Sequence, residues 1–299
     1  MARCGVGMRS RSAACRFWVV GLLAAVALSG CVRGRDDGHG KAHAASTHRD
    51  ASPSRLIITG SSTLAPLVAE IARRFEQLHP DVRIEVQTGG SSRGIRDVST
   101  GAADIAMVSR DLDESERDLT AIPIARDGVC LLIHKNNPVT SLTDEQVIGI
   151  YTGKIRHWEE VGGLPQPIVV VSKAAGRATL EVFCQYFRLR EDQIRADIII
   201  GDNQEGLKAV ANHTGAIGYV SLGAAEYEAQ RGLPIKLLPS RGVPATTDRL
   251  ADGSFPISRT LNLVTRGEPS GWASRFISYC CSEHVHDLVE AFFFVPVVR

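Results

Sequence analysis

An α/β fold with largely parallel sheets is predicted by the order of apolar patterns along the sequence. From residue 55 onward, short runs rich in Val and Ile, typical of buried strands, alternate with segments whose apolar residues recur at helical spacing. Turns rich in Gly and Ser join several of these strands to the helices that follow them. Alternation of this kind places helices on the faces of a mostly parallel sheet.

The first such unit comprises a strand at Leu56–Thr59, a polar turn at residues 60–63 and a helix at Leu64–Leu78. A helix start carries unpaired backbone amides and a partial positive charge. The hydroxyl groups of Ser61, Ser62 and Thr63 beside it would therefore help to bind an anion. Simple capping of the helix by these hydroxyls is the alternative, and the turn alone does not decide between them.

Two further turns follow the next two predicted strands. The strand at Val82–Gln87 leads to a turn at Gly89–Gly94 and a short helix, and the strand at Asp104–Val108 ends in Ser109 and Arg110. In parallel sheets, ligands bind beyond the carboxyl ends of the strands. We therefore expect the three polar turns to lie together at one edge of the sheet.

The second half of the sequence continues the alternation. A fourth strand–turn–helix junction runs through Ser172–Thr179, and Thr143 and Gln146 have capping-box spacing. The other predicted elements are strands at Gly128–Ile133, Ile168–Val171, Gly215–Val220, Ile235–Leu238 and Leu261–Val264, and helices beginning near Ser141, after Thr179, at Glu205–Asn212, at 271–280 and at 285–293.

Residues 1–31 are predicted to be an export signal. A basic segment precedes the apolar run Phe17–Ala27, which is too short to be a stable membrane anchor. The run ends in Leu28–Cys31, which resembles the lipobox of bacterial lipoproteins, so Cys31 would carry lipid and tether the protein to a membrane. An ordinary secretory signal is the alternative. Residues 32–54 lack apolar periodicity and are predicted to be a flexible linker.

Composition excludes several classes of function. The formal net charge is +1 at pH 7, which offers no argument for binding nucleic acid or a membrane surface. Cysteine spacing matches no zinc site, and no cofactor or metal is predicted. Cys130 and Cys184 lie in apolar patterns and are predicted to be buried free thiols, whereas the state of Cys280 and Cys281 stays open.

Six motifs occur in order along the chain, and together they resemble the PstS family, the phosphate-binding proteins of ABC importers. They are Gly60–Thr63, Gly89–Gly94, Asp104–Arg110, Leu142–Gln146, Gly153–Gly163 and Gly215–Val220. Each motif alone is weak, but the series is specific, and it covers residues 55–299. The resemblance implies a two-lobed type II periplasmic-binding-protein fold, in which each lobe is a mixed, mostly parallel sheet flanked by helices.

The two lobes of such a fold are joined by a pair of crossing strands. We place the first crossing near Ile124–Asp127 and the return near Phe255–Pro256. Lobe I would then be residues 55–125 plus 255–299, and lobe II would be residues 126–254. The lobes would close on the anion like a hinged clamp.

The resemblance also implies a set of binding residues in lobe I. Thr63 and the backbone amide of Leu64 would hold one phosphate oxygen, while Ser91 and Ser109 would donate from the second and third turns. Ser62 in the first turn and Arg110 in the third turn belong to the predicted phosphate-binding site as well.

In lobe II the sequence departs from the family pattern. The family supplies an Arg and then a Gly-Ser-Gly-Thr turn, where this chain has Lys173 and then Gly176–Thr179. Lysine is a point charge rather than a bidentate fork. Our hypothesis is that Arg177 takes over the charge pairing and that Thr179 keeps its hydroxyl role. A solvent-facing Arg177 and a structural Lys173 are the alternatives.

Selection of phosphate over sulfate benefits from a buried acceptor, because phosphate keeps a proton near neutral pH. Some family members place an Asp on the third turn for this purpose, but this chain has Ser109 there. Asp127 is the nearest replacement, although it could equally be a simple hinge-turn residue. Molybdate, sulfate and arsenate therefore stay open as ligands.

The predicted function is that of a monomeric solute-binding lipoprotein in the periplasm or at the cell surface, which passes phosphate to ABC permease subunits. The same fold could also serve as a sensor or an adhesin. A phosphatase using Ser61 or Ser91 as nucleophile is disfavoured, because no His lies beside these turns and no Gly-x-Ser-x-Gly elbow occurs.

Overall fold

The computed structural model describes residues 53–297. The predicted export signal, the lipobox with Cys31 and nearly all of the predicted linker lie outside the described residues. Ser54, the last residue assigned to the linker, begins the first strand.

The element order confirms the predicted alternation of strands and helices. The strands are β1 Ser54–Gly60, β2 Val82–Thr88, β3 Ile105–Val108, β4 Leu119–His134, β5 Val169–Lys173, β6 Ile198–Ile200, β7 Ala216–Ser221, β8 Ile235–Leu237, β9 Ser258–Arg266 and β10 Val295–Pro296. The helices are α1 Ala65–Leu78, α2 Ser91–Thr100, α3 Asp144–Tyr151, α4 Ala178–Phe187, α5 Asn203–Ala211, α6 Leu222–Gln230, α7 Thr247–Ala251, α8 Gly271–Cys280 and α9 His286–Ala291.

Helices α1 and α3 form where their local patterns predict them. Helix α1 buries Leu67, Ile71 and Phe75 on one face, and a proline occupies its first turn, where no hydrogen bond is lost. Helix α3 starts with the predicted capping box. The Thr143 hydroxyl accepts from the Gln146 amide at 3.2 Å, and the Gln146 side chain accepts from the Thr143 amide at 2.9 Å.

The fold is α/β, and its sheet is mixed. The strand order is β2-β1-β3-β9-β4-β7-β5-β6. Strand β1 pairs in parallel with β2 and β3, and β5 pairs in parallel with β6 and β7. Between these parallel flanks, β9 runs antiparallel to β3 and β4, and β4 runs antiparallel to β7. The parallel flanks aim the turns that follow β1, β2, β3 and β5 towards a common region.

Strand β4 is the longest and connects the two flanks. Its first part, through Gly128, pairs with β9, and Val129–Ile133 pairs with β7. Apolar patterning predicts a strand only at Gly128–Ile133, because Pro123 and polar residues interrupt the pattern before it. The crossing strand that the resemblance places near Ile124–Asp127 is part of the same β4. A shift in register falls at Pro123, where the proline cannot donate to the ladder. The short β6 and helices α6 and α7 were not predicted.

Two large hydrophobic clusters share the core. The buried residues of one cluster all lie within 129–257, and those of the other lie within 56–125 and 261–294. In the first cluster, Phe183 stacks on Tyr219 with ring centroids 4.0 Å apart. Cys130 and Cys184 are buried free thiols, as predicted, and burial raises the pKa of Cys184 to about 11.

Neither a membrane-spanning helix nor a metal centre is found in residues 53–297. Every helix there is too short or too polar to cross a bilayer. That part of the chain also contains no cluster of His, Cys, Asp or Glu side chains that could hold a metal ion.

Candidate anion-binding site

The polar turns meet around one small cavity, which we call the polar cavity. It is lined by Ser61, Ser62, Thr63, Gly90, Ser91, Ser109, Lys173, Arg177, Ala178, Thr179 and Gly201. These residues follow β1, β2, β3, β5 and β6, whose ends converge there. Most of the side chains singled out from the sequence are thus brought together, and Leu64, Arg110 and Asp127 are the ones that do not line the cavity.

Three helices begin at the polar cavity without a side-chain cap. The N-cap residues of α1, α2 and α4 are Leu64, Gly90 and Arg177, and none of them caps its helix through its side chain. Helix α5 begins nearby but is capped by Asp202, whose carboxylate accepts from the Glu205 amide at 2.9 Å. The partial positive charge at the starts of α1 and α2 therefore has no acidic side chain in the first turn, whereas α4 carries Glu181 there.

Two glycines allow the turns to approach closely. Gly60 has a φ of 130°, and a Cβ there would lie 2.3 Å from the carbonyl oxygen of Met107. Gly90 has a φ of 96°, and its Cβ would lie 2.5 Å from the carbonyl oxygen of Gly176. No other residue type fits at either position without moving backbone, so these glycines set the width of the polar cavity.

The hydroxyls of the polar cavity are oriented by the donors behind them. Thr63 Oγ1 accepts from Asn203 Nδ2 at 3.2 Å, and Ser91 Oγ accepts from the Ser109 amide at 3.2 Å. A hydroxyl has one proton and two lone pairs. Because the oxygens already accept from the protein, the protons of Thr63 and Ser91 are available to an anion.

Ser61 organises the first turn from within. Its Oγ accepts from the amides of Thr63 and Leu64, at 3.2 and 3.4 Å, and donates to Ser109 Oγ at 2.9 Å. The Ser109 oxygen thereby accepts a hydrogen bond, and its own hydroxyl proton stays available to donate to a ligand. The Leu64 amide was predicted to donate to phosphate, but in this structure it donates to Ser61 Oγ.

Arg259 on β9 is the main residue that sequence reasoning missed. Its side chain is 1% exposed. Nη1 donates to Thr179 Oγ1 at 2.9 Å, and Nη2 donates to Thr63 Oγ1 at 3.3 Å. The guanidinium thus bridges hydroxyls from two turns that are 116 residues apart. A signal was present, because Arg259 shares a strand face with Leu261 and Leu263, which are fully buried.

Asp127 pairs with Arg259 instead of facing the polar cavity. Its Oδ2 accepts from Arg259 Nη2 at 2.7 Å and Nε at 3.1 Å, and its Oδ1 accepts from the Gly223 amide at 3.2 Å. Both carboxylate oxygens are therefore occupied. The suggestion that Asp127 receives the proton of a bound anion has no support from this geometry, and its place is behind the guanidinium that it holds in position.

Lys173 is a buried cation at the wall of the polar cavity. Its ammonium donates to Asn203 Oδ1 at 3.0 Å. Burial lowers the pKa of Lys173 to about 7, and the charges of Arg259 and Arg177 lower it as well, while Asp202 acts in the opposite direction. An anion in the polar cavity would favour the charged ammonium.

Arg177 is half-buried and lines the polar cavity. Within residues 53–297 its guanidinium has no hydrogen bond or ion pair. A cation at a cavity wall without a protein partner is suited to pair with a ligand.

Arg110 is directed away from the polar cavity. Its guanidinium donates to Glu116 at 2.7 and 2.9 Å and also to Glu181 on α4. Hydrogen bonding to Glu116 raises the pKa of Arg110. Arg110 was predicted to bind phosphate, but its guanidinium is occupied by these carboxylates. It links the end of β3 to α4 instead.

The polar cavity is equipped to donate hydrogen bonds. Its lining offers hydroxyls, backbone amides and two cations, and it includes no Asp, Glu or His side chain. A nucleophilic serine needs a base within reach, and none of the lining residues supplies one. The arrangement can bind a small oxyanion, with Arg259 supplying further positive charge from behind.

Comparisons with known proteins agree with this geometry. The sequence model of the PBP superfamily domain matches residues 42–284. The phosphate-binding protein PstS of Bacillus subtilis is 31% identical over 235 residues, which are 77% of this chain and 76% of that protein.

Two solved structures are also similar. One, from Clostridium perfringens, is described as a phosphate ABC transporter substrate-binding protein with bound phosphate; it superimposes with a TM-score of 0.76 at 32% identity, covering 82% of this chain and 100% of that one. The other is an ABC-type phosphate transport receptor from Vibrio cholerae, with a TM-score of 0.68, 30% identity and the same coverage. The chain belongs to the PBP superfamily and, within it, to the family of PstS phosphate-binding proteins.

Proposed function

We propose that this protein binds inorganic phosphate in the polar cavity and delivers it to an ABC importer. The observation that carries the proposal is the convergence of oriented hydroxyl donors, uncapped helix starts and buried cations on one cavity. The relatives named above, described as phosphate-binding or phosphate-transport proteins, support the choice of phosphate among oxyanions.

The charges around the polar cavity favour an anion. Arg259 and Arg177 are positive, and Asp127 pairs with Arg259. The pKa of Lys173 is lowered by burial to about 7 in the empty site, and Asp202 and Glu205 favour its charged form. A bound anion would favour the charged ammonium further. Our assignment is that Thr63, Ser91, Ser109 and Thr179 donate hydroxyl protons, with Ser62 and the helix-start amides completing the shell.

We propose that the chain closes around the anion as two lobes, residues 55–125 plus 255–299 and residues 126–254. The separation of the two hydrophobic clusters supports this division, since one falls within 56–125 and 261–294 and the other within 129–257. Strands β4 and β9 pass between the clusters and would serve as the hinge.

The remaining parts of the proposal rest on sequence. The export signal and the lipobox would place the protein outside the cytoplasm, with Cys31 lipidated and the domain tethered through residues 32–54. Metabolic labelling with a palmitate analogue would detect the lipid, and Cys31→Ser would abolish the label. Binding without covalent chemistry and a monomeric state belong to the same proposal.

Calorimetric titration tests the binding function directly. Phosphate, arsenate, sulfate and molybdate are titrated into the purified protein and into Arg177→Ala. We expect phosphate to bind tightest, and the substitution to weaken it by roughly 10- to 100-fold, the range for a lost hydrogen bond to a charged group. Arg190→Ala is the matched control, since that arginine is exposed and pairs with Asp192.

Absence of phosphate binding would refute the proposed function. Equal affinity in the parent and in Arg177→Ala would refute only the role of that arginine.

A further inference from the structure

A larger cavity, which we call the apolar groove, adjoins the polar cavity. Its volume is ≈ 550 Å³, within the range of pockets that hold small organic molecules. Ser62 and Thr63 line both spaces. A ligand whose phosphoryl group occupies the polar cavity could therefore extend into the groove past these two residues.

Most of the groove wall is apolar. Its apolar side chains come from α1, α6, the last residue of α9 and the segment after it: Ala65, Pro66, Ala224, Tyr227, Ala291, Phe292 and Phe294. Asp202 also lines the groove. An uncharged aromatic or aliphatic group would be favoured there, because it buries apolar surface, whereas a negatively charged group would be repelled by this carboxylate.

A second set of contacts joins α4 to residues next to Ser91 and Ser109 of the polar cavity. The Glu181 carboxylate on α4 accepts hydrogen bonds from the Arg110 guanidinium and from the Ser92 hydroxyl, the latter at 3.1 Å. The Ser92 amide also donates to the carbonyl oxygen of Gly176 at 3.4 Å. We call these contacts the clasp. Because Ser62 and Thr63 line both spaces, the groove side is the direction in which a substituent on a bound phosphoryl group would extend.

A hydrogen bond between Thr63 and Asn203 lies where the two spaces adjoin. Asn203 Nδ2 donates to Thr63 Oγ1 at 3.2 Å, and Asn203 lines the apolar groove. Asn203 is held from its other end, because its Oδ1 accepts from Lys173 and from the Ser221 amide. Its Nδ2 could thus turn to the bridging oxygen of an ester without loss of the remaining bonds.

We propose that the site also binds monosubstituted phosphoryl compounds, namely phosphate monoesters and phosphonates with one uncharged apolar substituent. The phosphoryl oxygens would occupy the polar cavity, and the substituent would lie in the apolar groove. The proposal rests on the proposed function, since it uses the same anion site and extends its substrate class.

Competition calorimetry separates the two proposals. Phosphate alone is titrated first, which tests the anion site by itself. Phenylphosphonate, phosphonoacetate and diphenyl phosphate are then tested as competitors of phosphate. We expect phenylphosphonate to displace phosphate. Phosphonoacetate should bind at least about tenfold more weakly than phenylphosphonate because of Asp202, and diphenyl phosphate should not bind because the clasp leaves no room for a second substituent.

Two variants of α6 assign the substituent to the groove. Ala224→Leu fills the groove and should weaken phenylphosphonate by about tenfold or more while phosphate stays within about twofold. Ala229→Leu is the matched control, the same change on the same helix outside the groove, and should leave both ligands unchanged. Tyr227→Ala removes an aromatic wall and should weaken phenylphosphonate alone, which covers the case in which Ala224→Leu disturbs folding.

Each outcome is decisive. If phosphate binds and phenylphosphonate does not compete, the further inference is wrong and the proposed function stands. Competition that neither groove variant weakens would also overturn it. If phenylphosphonate binds but phosphate does not, the proposed ligand is wrong and the groove assignment stands.

Discussion

At the scale of single residues, the pair of Arg259 and Asp127 holds the anion site together. Arg259 is buried and donates to Thr63 and Thr179 as well as to Asp127. Removal of one partner from a buried pair leaves the other charge unpaired, which costs about 3–5 kcal/mol. A loss of binding in Arg259→Met alone would therefore be ambiguous between folding and recognition.

We expect the double variant Arg259→Met with Asp127→Asn to separate the two effects. The amide can still accept from Gly223, and no buried charge is left unpaired, so the free energy of unfolding should recover most of what Arg259→Met loses. Phosphate affinity should stay low, because the cation is absent. Urea denaturation and calorimetry measure the two quantities, and recovery of binding together with stability would show that Arg259 is only structural.

Lys173 should make phosphate binding depend on pH. Its pKa in the empty folded protein is about 7, below the value of 10.5 for a free lysine, and a bound anion raises it. The contribution of Lys173 to affinity should thus be constant below about pH 7 and fall above it, by at most about tenfold per pH unit, until the pKa of the bound state is passed.

The ratio of dissociation constants between Lys173→Met and the parent isolates this effect, because the ionisation of phosphate is common to both proteins. The ratio should be greatest below pH 7 and shrink towards higher pH; a ratio independent of pH from 6 to 9 would contradict the assignment. The effect of Lys173 on stability has the opposite pH dependence. The cost of burying the ammonium is present in full below pH 7, so the free energy of unfolding of the empty protein should increase from pH 7 to 10.5.

At the scale of elements, the clasp joins α4 to the ends of β3 and α2. Arg110 is itself anchored by Glu116, whose side chain is 13% exposed, so it presents a rigid partner to Glu181. Such contacts form only when the two sides of the site are close. The clasp should therefore stabilise the closed arrangement around the ligand.

Glu181→Gln should weaken phosphate binding by about 3- to 10-fold, mainly through faster dissociation, because the closed state loses its ion pair. Stopped-flow displacement measures the dissociation rate. Glu159→Gln serves as the control, since that residue is exposed in the short 3-10 turn Trp158–Val161 and does not line the polar cavity. An unchanged dissociation rate in Glu181→Gln would mean that the clasp has no part in closure.

At the scale of the whole molecule, phosphate binding and folding are linked. A ligand that binds only the folded state at 100 times its dissociation constant raises the free energy of unfolding by about 2.7 kcal/mol. We expect a higher Tm with phosphate, and a radius of gyration in small-angle scattering that decreases as the lobes close. An equal Tm shift with chloride at the same ionic strength would contradict specific binding.

The sequence by itself determined the local parts of this protein. The turns after β1, β2, β3 and β5, the helices that start there and the capping box of α3 follow from apolar periodicity and from Gly and Ser at the junctions, since these signals act over a few residues. Thr63, Ser91, Lys173, Arg177 and Thr179 lie at or next to these junctions. The resemblance to the PstS family assigned them to the site, and they lie around one cavity.

Only the tertiary structure decided which distant side chains complete the site. Arg259 lies on β9, 80 residues after Thr179 in the sequence, and its guanidinium reaches the Thr179 hydroxyl. It also pairs with Asp127, so that carboxylate does not face the cavity. Arg110 lies one residue after Ser109 in the third turn, but a carboxylate on α4 draws it into the clasp. These contacts join charged residues that are far apart in the sequence and become neighbours only through the tertiary fold, for Arg259 and Asp127 through the pairing of β4 with β9. Apolar periodicity and turn signals act over a few residues and therefore do not predict them.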